Sequence, residues 1–114
     1  MNEKQKQILI NEAMRKIRPN SRGRKYINAV LLSGGNTWLH EVGKCRECYK
    51  LAQKGIDFLT EVIFENGQRA DILALDVEGE GIHVIEILCS ETEERFNKKE
   101  YPFPIKKVRM KKVV

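Results

Sequence analysis

The pattern of apolar and polar residues predicts two helices in the first half of the chain. In residues 2–17 the apolar side chains recur at intervals of three and four, the period of an amphipathic helix, and Pro19 ends it. A second helix is predicted to begin near Asn36 or Thr37, either of which can cap it, and to end at Gly55. We expect one apolar stripe of this second helix to face the core: Trp38, Leu39, Val42, Cys45, Tyr49 and Ala52.

After the second helix the period changes to two, which indicates strands. Residues 57–65 are rich in Phe, Leu, Val and Ile, and the Asn66-Gly67 that follows favours a hairpin because both residues tolerate positive φ. A returning strand over 69–77, a tight turn rich in Glu and Gly, and a third strand over 82–89 complete a predicted antiparallel meander.

The last quarter of the chain predicts a helix and a fourth strand. Ser90 and Glu93 have the spacing of a capping box, so we expect a helix over 91–100. Residues 105–114 alternate Lys or Arg with Val and Met, and the long connection allows this strand to run parallel to the third. The expected fold is one α/β (α+β) domain over 1–114, with the order α-β-β-β-α-β, an extra N-terminal helix and a mixed central sheet.

Length and composition limit the classes of protein to which the chain can belong. Its 114 residues suffice for one core, and 41% apolar with 32% charged residues is typical of a globular protein. No apolar run approaches the roughly 18 residues of a membrane span, and the N-terminus lacks the layout of a secretory signal. We therefore expect a cytoplasmic protein without a membrane partner.

The net charge of +5 is unevenly distributed along the chain. Residues 1–25 carry eight Lys or Arg against two acids and residues 100–114 carry five against one, whereas residues 26–99 carry eight against thirteen. Basic ends suit DNA or RNA, although they also serve solubility alone, and residues 15–25 look like a mobile basic arm. The expected nucleic-acid contacts are Arg15, Lys16, Arg18, Arg22, Arg24, Lys25, Arg69, Lys98 and Lys99.

Two carboxylates in the predicted meander are candidates for a metal site. Asp71 lies early in the second strand and Glu86 in the middle of the third, so a short turn brings them near one another across the strand pair. Mg²⁺ and Mn²⁺ take oxygen ligands, and such an ion lets a phosphodiester approach carboxylates and activates water. The alternative is that Glu86 forms an ordinary salt bridge and Asp71 faces solvent. Because its neighbours are apolar, Glu86 requires compensation if it is buried.

With these acids in place, residues 36–114 resemble the minimal core of the PD-(D/E)XK nuclease superfamily, which includes restriction endonucleases and archaeal Holliday-junction resolvases. That family places a Glu on the helix before the first strand, an Asp at the start of the second, and a Glu-x-Lys on the third. Glu41, Asp71 (in 67–73) and Glu86 (in 84–90) match these positions. The resemblance implies a restriction-endonuclease-like fold and a Mg²⁺- or Mn²⁺-dependent endonuclease or exonuclease acting on DNA, in which Glu41 assists as a ligand or base.

The sequence departs from that pattern at the lysine. Leu88 stands two residues after Glu86, where the family has the lysine that orients water or stabilises charge on the phosphate. Lys44, one turn after Glu41, is the favoured replacement. The other candidates are Arg69, Lys98 and Lys99. The alternative is a domain that has lost cleavage and only binds nucleic acid. A domain of this size often works as a homodimer, which would also suit two-stranded cleavage.

The three cysteines suggest a third hypothesis. An odd number argues against a disulfide framework, but Cys45 and Cys48 form a CxxC that would bind zinc together with His40 or Cys89. The protein would then be a zinc-stabilised interaction module. The alternative is that these cysteines pack in the core, where we also place Trp38, Tyr49 and the four Phe. His40 is a candidate phosphate contact or proton carrier, and His83 is expected to be partly buried.

Overall fold

A computed structural model describes residues 2–76, 79–89 and 99–110. Most of the helix predicted over 91–100, residues 77–78 and the last four residues lie outside the described residues. Within them the order of elements agrees with the prediction. The elements are α1 (Glu3–Lys16), a 3-10 turn (Arg22–Lys25), α2 (Trp38–Gln53), β1 (Phe58–Ile63), β2 (Arg69–Ala74), β3 (His83–Leu88) and β4 (Ile105–Arg109).

The four strands form one mixed sheet in the order β1-β2-β3-β4. The first three strands pair antiparallel and β4 pairs parallel to β3, so the predicted meander and the predicted parallel strand are both confirmed. Alternate strand residues supply two cores. Leu73 and Val84 pack with Ala13 of α1, whereas Ile72 and Ile85 pack with Cys48 of α2. The protein is therefore an α+β fold in which the sheet has one helix on each face.

The ends of the helices are capped as their sequences indicate. The side chain of Asn2 accepts a hydrogen bond from the Gln5 backbone amide at 2.8 Å, and the side-chain oxygen of Gln5 accepts one from the Asn2 backbone amide at 3.1 Å. Thr37 caps α2 by accepting from the His40 amide. Within the described residues, neither α-helix is long and apolar enough to cross a membrane.

The segment that follows α1 is packed against the sheet, so the prediction of a mobile arm over 15–25 is wrong. Arg18 donates its amide hydrogen to the Ile63 carbonyl at 2.8 Å, and the buried Ser21 hydroxyl accepts from the Ile63 amide at 3.0 Å. A Cβ at Gly23 would lie 2.0 Å from the Thr60 carbonyl oxygen, so only glycine permits this approach. These backbone contacts place the segment along the edge of β1, while most of its basic side chains stay exposed.

Helix α2 presents the face opposite to the one that its apolar stripe predicts. Trp38 is 77% exposed, Tyr49 65% and Val42 45%, and Cys45 and Ala52 are also exposed. The buried positions are His40, Gly43, Lys44, Glu47, Cys48 and Leu51. The expectation that the stripe enters the core, with Trp38 and Tyr49 in it, is therefore wrong. The reason is that the polar residues on the buried face find charged partners there, as described below.

Strand β1 departs from regular geometry at one residue. Glu61 has a φ of 50°, a left-handed conformation that a non-glycine residue rarely adopts within a strand. The neighbouring Thr60 hydroxyl donates to the Ala29 carbonyl at 2.8 Å and accepts from the Leu31 amide at 2.9 Å. The segment before α2 therefore lies against β1, and the distorted Glu61 faces the network under α2.

Candidate metal centre and nucleic-acid cleft

Asp71 and Glu86 occupy neighbouring strands at matching positions. The β2–β3 register pairs Ile72 with Ile85, so the next pair along the two strands is Asp71 with Glu86. Both side chains are buried, with residue exposures of 8% and 2%. Because directly opposed residues of an antiparallel pair project to the same face, the carboxyl groups meet. The structure thus brings together the two acids that the hairpin predicted.

Asp71 is held by donors from two elements. Its Oδ2 accepts a hydrogen bond from the Ile87 amide at 2.8 Å and lies 3.1 Å from His40 Nε2. Burial alone would raise the pKa of Asp71, but the hydrogen bonds from His40, Glu86 and the Ile87 amide outweigh it and lower the pKa. The same contact with Asp71 raises the pKa of His40, against the effect of burial. Asp71 is therefore the ionised member of the carboxyl pair.

Glu86 is the protonated member of the pair at neutral pH. Burial, with the hydrogen bond and the charge of Asp71, raises the pKa of Glu86 to about 9. The Tyr101 hydroxyl forms a short hydrogen bond with Glu86 Oε1 and lies 3.1 Å from the Arg69 carbonyl oxygen. The ring of Tyr101 packs edge-to-face on Phe64, with centroids 5.9 Å apart. Asp71 and Tyr101 thus supply the compensation that the apolar surroundings of Glu86 require.

The carboxyl pair opens onto a cleft of about 390 Å³. Three cationic side chains line this cleft together with the acids: Arg18, Arg69 and Lys99. These three belong to the set predicted to bind nucleic acid. Arg22 instead donates to the Leu32 carbonyl at 2.9 Å, and Arg24 contacts Met14. Arg15, Lys16 and Lys25 are exposed but do not line the cleft, and Lys98 lies outside the described residues.

Lys44, the favoured replacement for the missing lysine, is fully buried and does not line the cleft. Its Nζ lies 2.6 Å from the Leu31 carbonyl oxygen, 2.8 Å from Glu61 Oε1 and 2.9 Å from Glu41 Oε2. Burial would lower the pKa of Lys44, but Glu61 and Glu41 raise it above the ordinary value. An ammonium has three donors, and the hydrogen bonds to the Leu31 carbonyl oxygen, to Glu61 Oε1 and, at 3.2 Å, to Glu41 Oε1 use all three. The geometry gives Lys44 the role of an internal ion-pair partner.

Glu41 belongs to the Lys44 network, and His40 lies between Glu41 and Asp71. Its Oε1 accepts from the Asn36 amide group at 2.6 Å and lies 3.7 Å from His40 Nδ1. Burial would raise the pKa of Glu41, but hydrogen bonds from Lys44 and Asn36 lower it. Glu41, the helix acid that the resemblance identifies, is therefore separated from the carboxyl pair by His40.

Three residues that contact Lys44 or the site acids were not identified as site residues from the sequence: Glu61, Asn36 and Tyr101. Glu61 is opposite Asp71 in the register of β1 and β2, because the pairs on either side are Thr60 with Ile72 and Val62 with Ala70. An acid within an apolar strand is the same signal that identified Glu86, so Glu61 was detectable. Asn36 was noted only as a helix cap, although it bridges Glu41 and Glu61. Tyr101 follows no recognisable pattern.

The cysteines do not form the predicted zinc cluster. Cys45 is exposed and Cys48 is buried, so the CxxC pair divides between the surface and the core. Burial raises the pKa of Cys48 to about 12, which disfavours the thiolate that zinc requires. Over the described residues, no group of three or more His, Cys, Asp or Glu side chains is arranged to hold a metal. His83 is half-buried, with Nδ1 3.1 Å from the Gly81 carbonyl oxygen, as expected.

Comparison with known proteins adds no family assignment. No protein-family model, no curated protein and no solved structure matches this chain. The chemistry of the cleft is therefore the basis for assigning a function.

Proposed function

We propose that the protein is a metal-dependent nuclease that hydrolyses phosphodiester bonds in DNA. The observation that carries this proposal is the buried pair of Asp71 and Glu86, which opens onto a cleft lined by three cations. A site for a polyanion needs positive charge, and carboxylates in the same cleft are unfavourable for such a ligand unless a cation accompanies it. The two features together favour a divalent cation and a nucleic acid as joint ligands.

The donor atoms of this pair fit Mg²⁺ or Mn²⁺. Both side chains offer carboxylate oxygens, and Mg²⁺ is usually bound by one or two carboxylates, with water and substrate phosphate completing its shell. Burial, followed by the hydrogen bond and the charge of Asp71, raises the pKa of Glu86 to about 9, so at neutral pH the pair carries one proton that a divalent cation would replace. A divalent ion held by Asp71 and Glu86 would supply Lewis-acid chemistry for a phosphodiester and would acidify water.

The remaining residues of the cleft bind the substrate phosphates and orient the Asp71 carboxylate. Arg18 and Arg69 offer guanidinium groups that bind phosphate oxygens in pairs. Lys99 lines the cleft, and its charge acts on Glu86. Leu88 stands where the family has its motif lysine. We therefore assign the role of that lysine to Lys99 and no longer to Lys44. His40 holds one oxygen of Asp71 and thereby fixes the direction of the other.

The order of elements also supports the restriction-endonuclease-like core as a proposal. Helix α2 precedes three antiparallel strands, and β4 lies parallel to β3. Glu41, Asp71 and Glu86, on which the resemblance depends, lie on α2, β2 and β3, respectively.

The test is cleavage of plasmid and end-labelled DNA in Mg²⁺ or Mn²⁺, with EDTA as the metal-free control. We expect Asp71→Asn and Glu86→Gln each to lower the rate roughly 100-fold or more, because several kcal/mol of metal-assisted stabilisation are lost. The matched control is Glu12→Gln, which changes an exposed carboxylate on α1. Activity in EDTA, or full activity in both site variants, contradicts the proposal.

Metal binding should be measured separately from cleavage. Mn²⁺ titration followed by calorimetry should show binding that Asp71→Asn removes and Glu12→Gln preserves. Lys99→Met should lower cleavage while leaving Mn²⁺ binding intact, because Lys99 is assigned to the substrate. If Lys99→Met has no effect on cleavage, the assignment of Lys99 is wrong. The assignment of Asp71 and Glu86 as metal ligands is judged separately, by the Mn²⁺ titration.

A second candidate function is nucleic-acid binding without cleavage. The observation in its favour is that Leu88 is buried at the motif position while the buried Lys44 is committed to other oxygens. In that case Arg18 and Arg69 would still contact phosphates, and binding would weaken steeply with salt. Salt-sensitive binding, with no cleavage in any divalent metal, would identify this second function.

A further inference from the structure

We propose that the outward stripe of α2 is the interface of a homodimer, formed by antiparallel pairing with α2 of a second copy. The stripe consists of Trp38, Val42, Cys45 and Tyr49. This interface lies on the side of α2 that faces away from the sheet and is independent of the proposed nuclease activity.

The stripe is a continuous face of α2. Its residues are separated by four, three and four positions, so they recur with the helical period over three turns. All four side chains are exposed, and Trp38 is 77% exposed. Isolated exposed apolar residues are ordinary, but an aligned row with an aromatic ring at each end is typical of an interaction surface.

Contacts with the sheet fix the orientation of α2, so the stripe faces away from the core. His40 contacts Asp71 at 3.1 Å, and Lys44 contacts Glu61 at 2.8 Å. A Cβ at Gly43 would lie 2.8 Å from Ile87 Cγ2, so the helix also approaches the sheet closely on this side. The ion pairs and the close approach hold the polar face inward, and the apolar stripe is exposed as a consequence.

The symmetry of the stripe favours a second copy of the chain as its partner. The spacing of four, three and four reads the same in both directions, with its midpoint between residues 43 and 44. Antiparallel pairing about a two-fold axis at that midpoint brings Trp38 against Tyr49 of the second copy, and Val42 against Cys45 of the second copy. Each contact then occurs twice, as a two-fold interface requires, and an aromatic ring meets an aromatic ring at both ends.

The area of the stripe sets the strength of the dimer. An enclosed aromatic side chain buries 150–250 Å². The exposed fractions of Trp38 and Tyr49, 77% and 65%, therefore correspond to roughly 300 Å² in each copy. With Val42 and Cys45 added, the total from both copies stays at the low end of specific interfaces, below about 1,200 Å². We therefore expect a reversible dimer whose population depends on protein concentration.

Salt separates this interface from the nucleic-acid cleft. Each copy carries a net charge of +5, so two copies repel one another and added salt screens that repulsion. Apolar burial is not weakened by screening, whereas phosphate binding is. The dimer should therefore persist or strengthen at salt concentrations that release nucleic acid.

The test is sedimentation equilibrium of the full chain over a wide concentration range. We expect a monomer–dimer equilibrium that Trp38→Glu with Tyr49→Glu weakens roughly 100-fold or more, because the aromatic anchors carry most of the binding energy of such interfaces. The matched control is Ile8→Glu, which alters a 55% exposed apolar residue on α1 and should leave the equilibrium unchanged. Circular dichroism verifies that each variant is folded.

Two probes within the stripe give an independent readout. Trp38 is the single tryptophan of the chain, so its emission should shift to shorter wavelength as the dimer forms. Cys45 is the exposed cysteine of the three, and a short bis-maleimide should link two copies in a way that Cys45→Ser abolishes. A monomer at all concentrations, or a dimer that survives Trp38→Glu with Tyr49→Glu, overturns the proposal.

Discussion

The imidazole of His40 connects α2 to β2, with Nε2 3.1 Å from Asp71 Oδ2. The Ile87 amide donates to the same oxygen, so Asp71 is anchored from the helix and from the neighbouring strand. The candidate metal centre is therefore part of the packing between α2 and the sheet. Changes at this contact should alter folding stability as well as any activity of the cleft.

Replacing His40 with alanine should lower the free energy of unfolding by about 1–3 kcal/mol, because the buried Asp71 carboxylate loses a donor. Urea denaturation measures the change. His40→Gln should recover part of it, since its amide can donate. His83→Ala is the control, because this half-buried histidine has its Nδ1 3.1 Å from the nearby Gly81 carbonyl oxygen. Equal losses for His40→Ala and His83→Ala would contradict the anchoring role.

Metal-free protein should lose stability as the pH rises from 6 to 9. The folded pKa of Glu86, about 9, exceeds its ordinary value of 4.5, and the pKa of His40 is also raised. A raised folded pKa stabilises the protein fully below the unfolded pKa, and the stabilisation disappears as pH rises through the folded pKa. Asp71 and Glu41 have lowered pKa values, so their stabilisation is lost only in acid, outside this window.

The measurement is the urea midpoint at several pH values in EDTA. Glu86→Gln should flatten the decline, since a glutamine carries no proton that the unfolded state would release. Saturating Mn²⁺ should oppose the decline most strongly at pH 9, because a cation replaces the proton on Glu86. A midpoint that stays constant or rises between pH 6 and 9 in EDTA would contradict the raised pKa of Glu86.

Lys44→Met should destabilise the fold by up to about 3–5 kcal/mol, because it leaves the partly buried Glu41 and Glu61 without their cation. The double variant Lys44→Met with Glu61→Leu should be less destabilised than the sum of the two single changes. Chemical denaturation of the four proteins gives this coupling. A Lys44→Met variant with normal stability and no cleavage would instead make Lys44 a catalytic residue.

Gly23→Ala should be strongly destabilising, by about 2 kcal/mol or more, because the added Cβ would lie 2.0 Å from the Thr60 carbonyl oxygen. Gly34→Ala provides the matched comparison, since no atom of the described residues lies within 4 Å of a Cβ at that position. Thermal unfolding of both variants tests whether the segment after α1 is held against β1. Similar melting temperatures for the two variants would mean that this segment is loosely attached.

The carboxyl pair was predictable because two local rules determine it. Hairpins with short turns place residues of adjacent strands opposite one another, and a strand acid among apolar neighbours requires a partner. Applied to 69–89, these rules bring Asp71 to Glu86, and applied to β1 they would also have identified Glu61. The Tyr101 contact had no such rule, because Tyr101 lies outside the helices and strands, so neither periodicity nor strand register determines where its side chain points.

By itself the sequence determined the order of helices and strands, the antiparallel meander and the meeting of Asp71 with Glu86. Periodicity and turn chemistry are local properties, so they can be read without knowing what surrounds each element. Only the tertiary structure decided which face of α2 is buried. Apolar periodicity locates the Trp38 stripe, but Lys44 enters the interior because Glu61 and Glu41 are there to neutralise it.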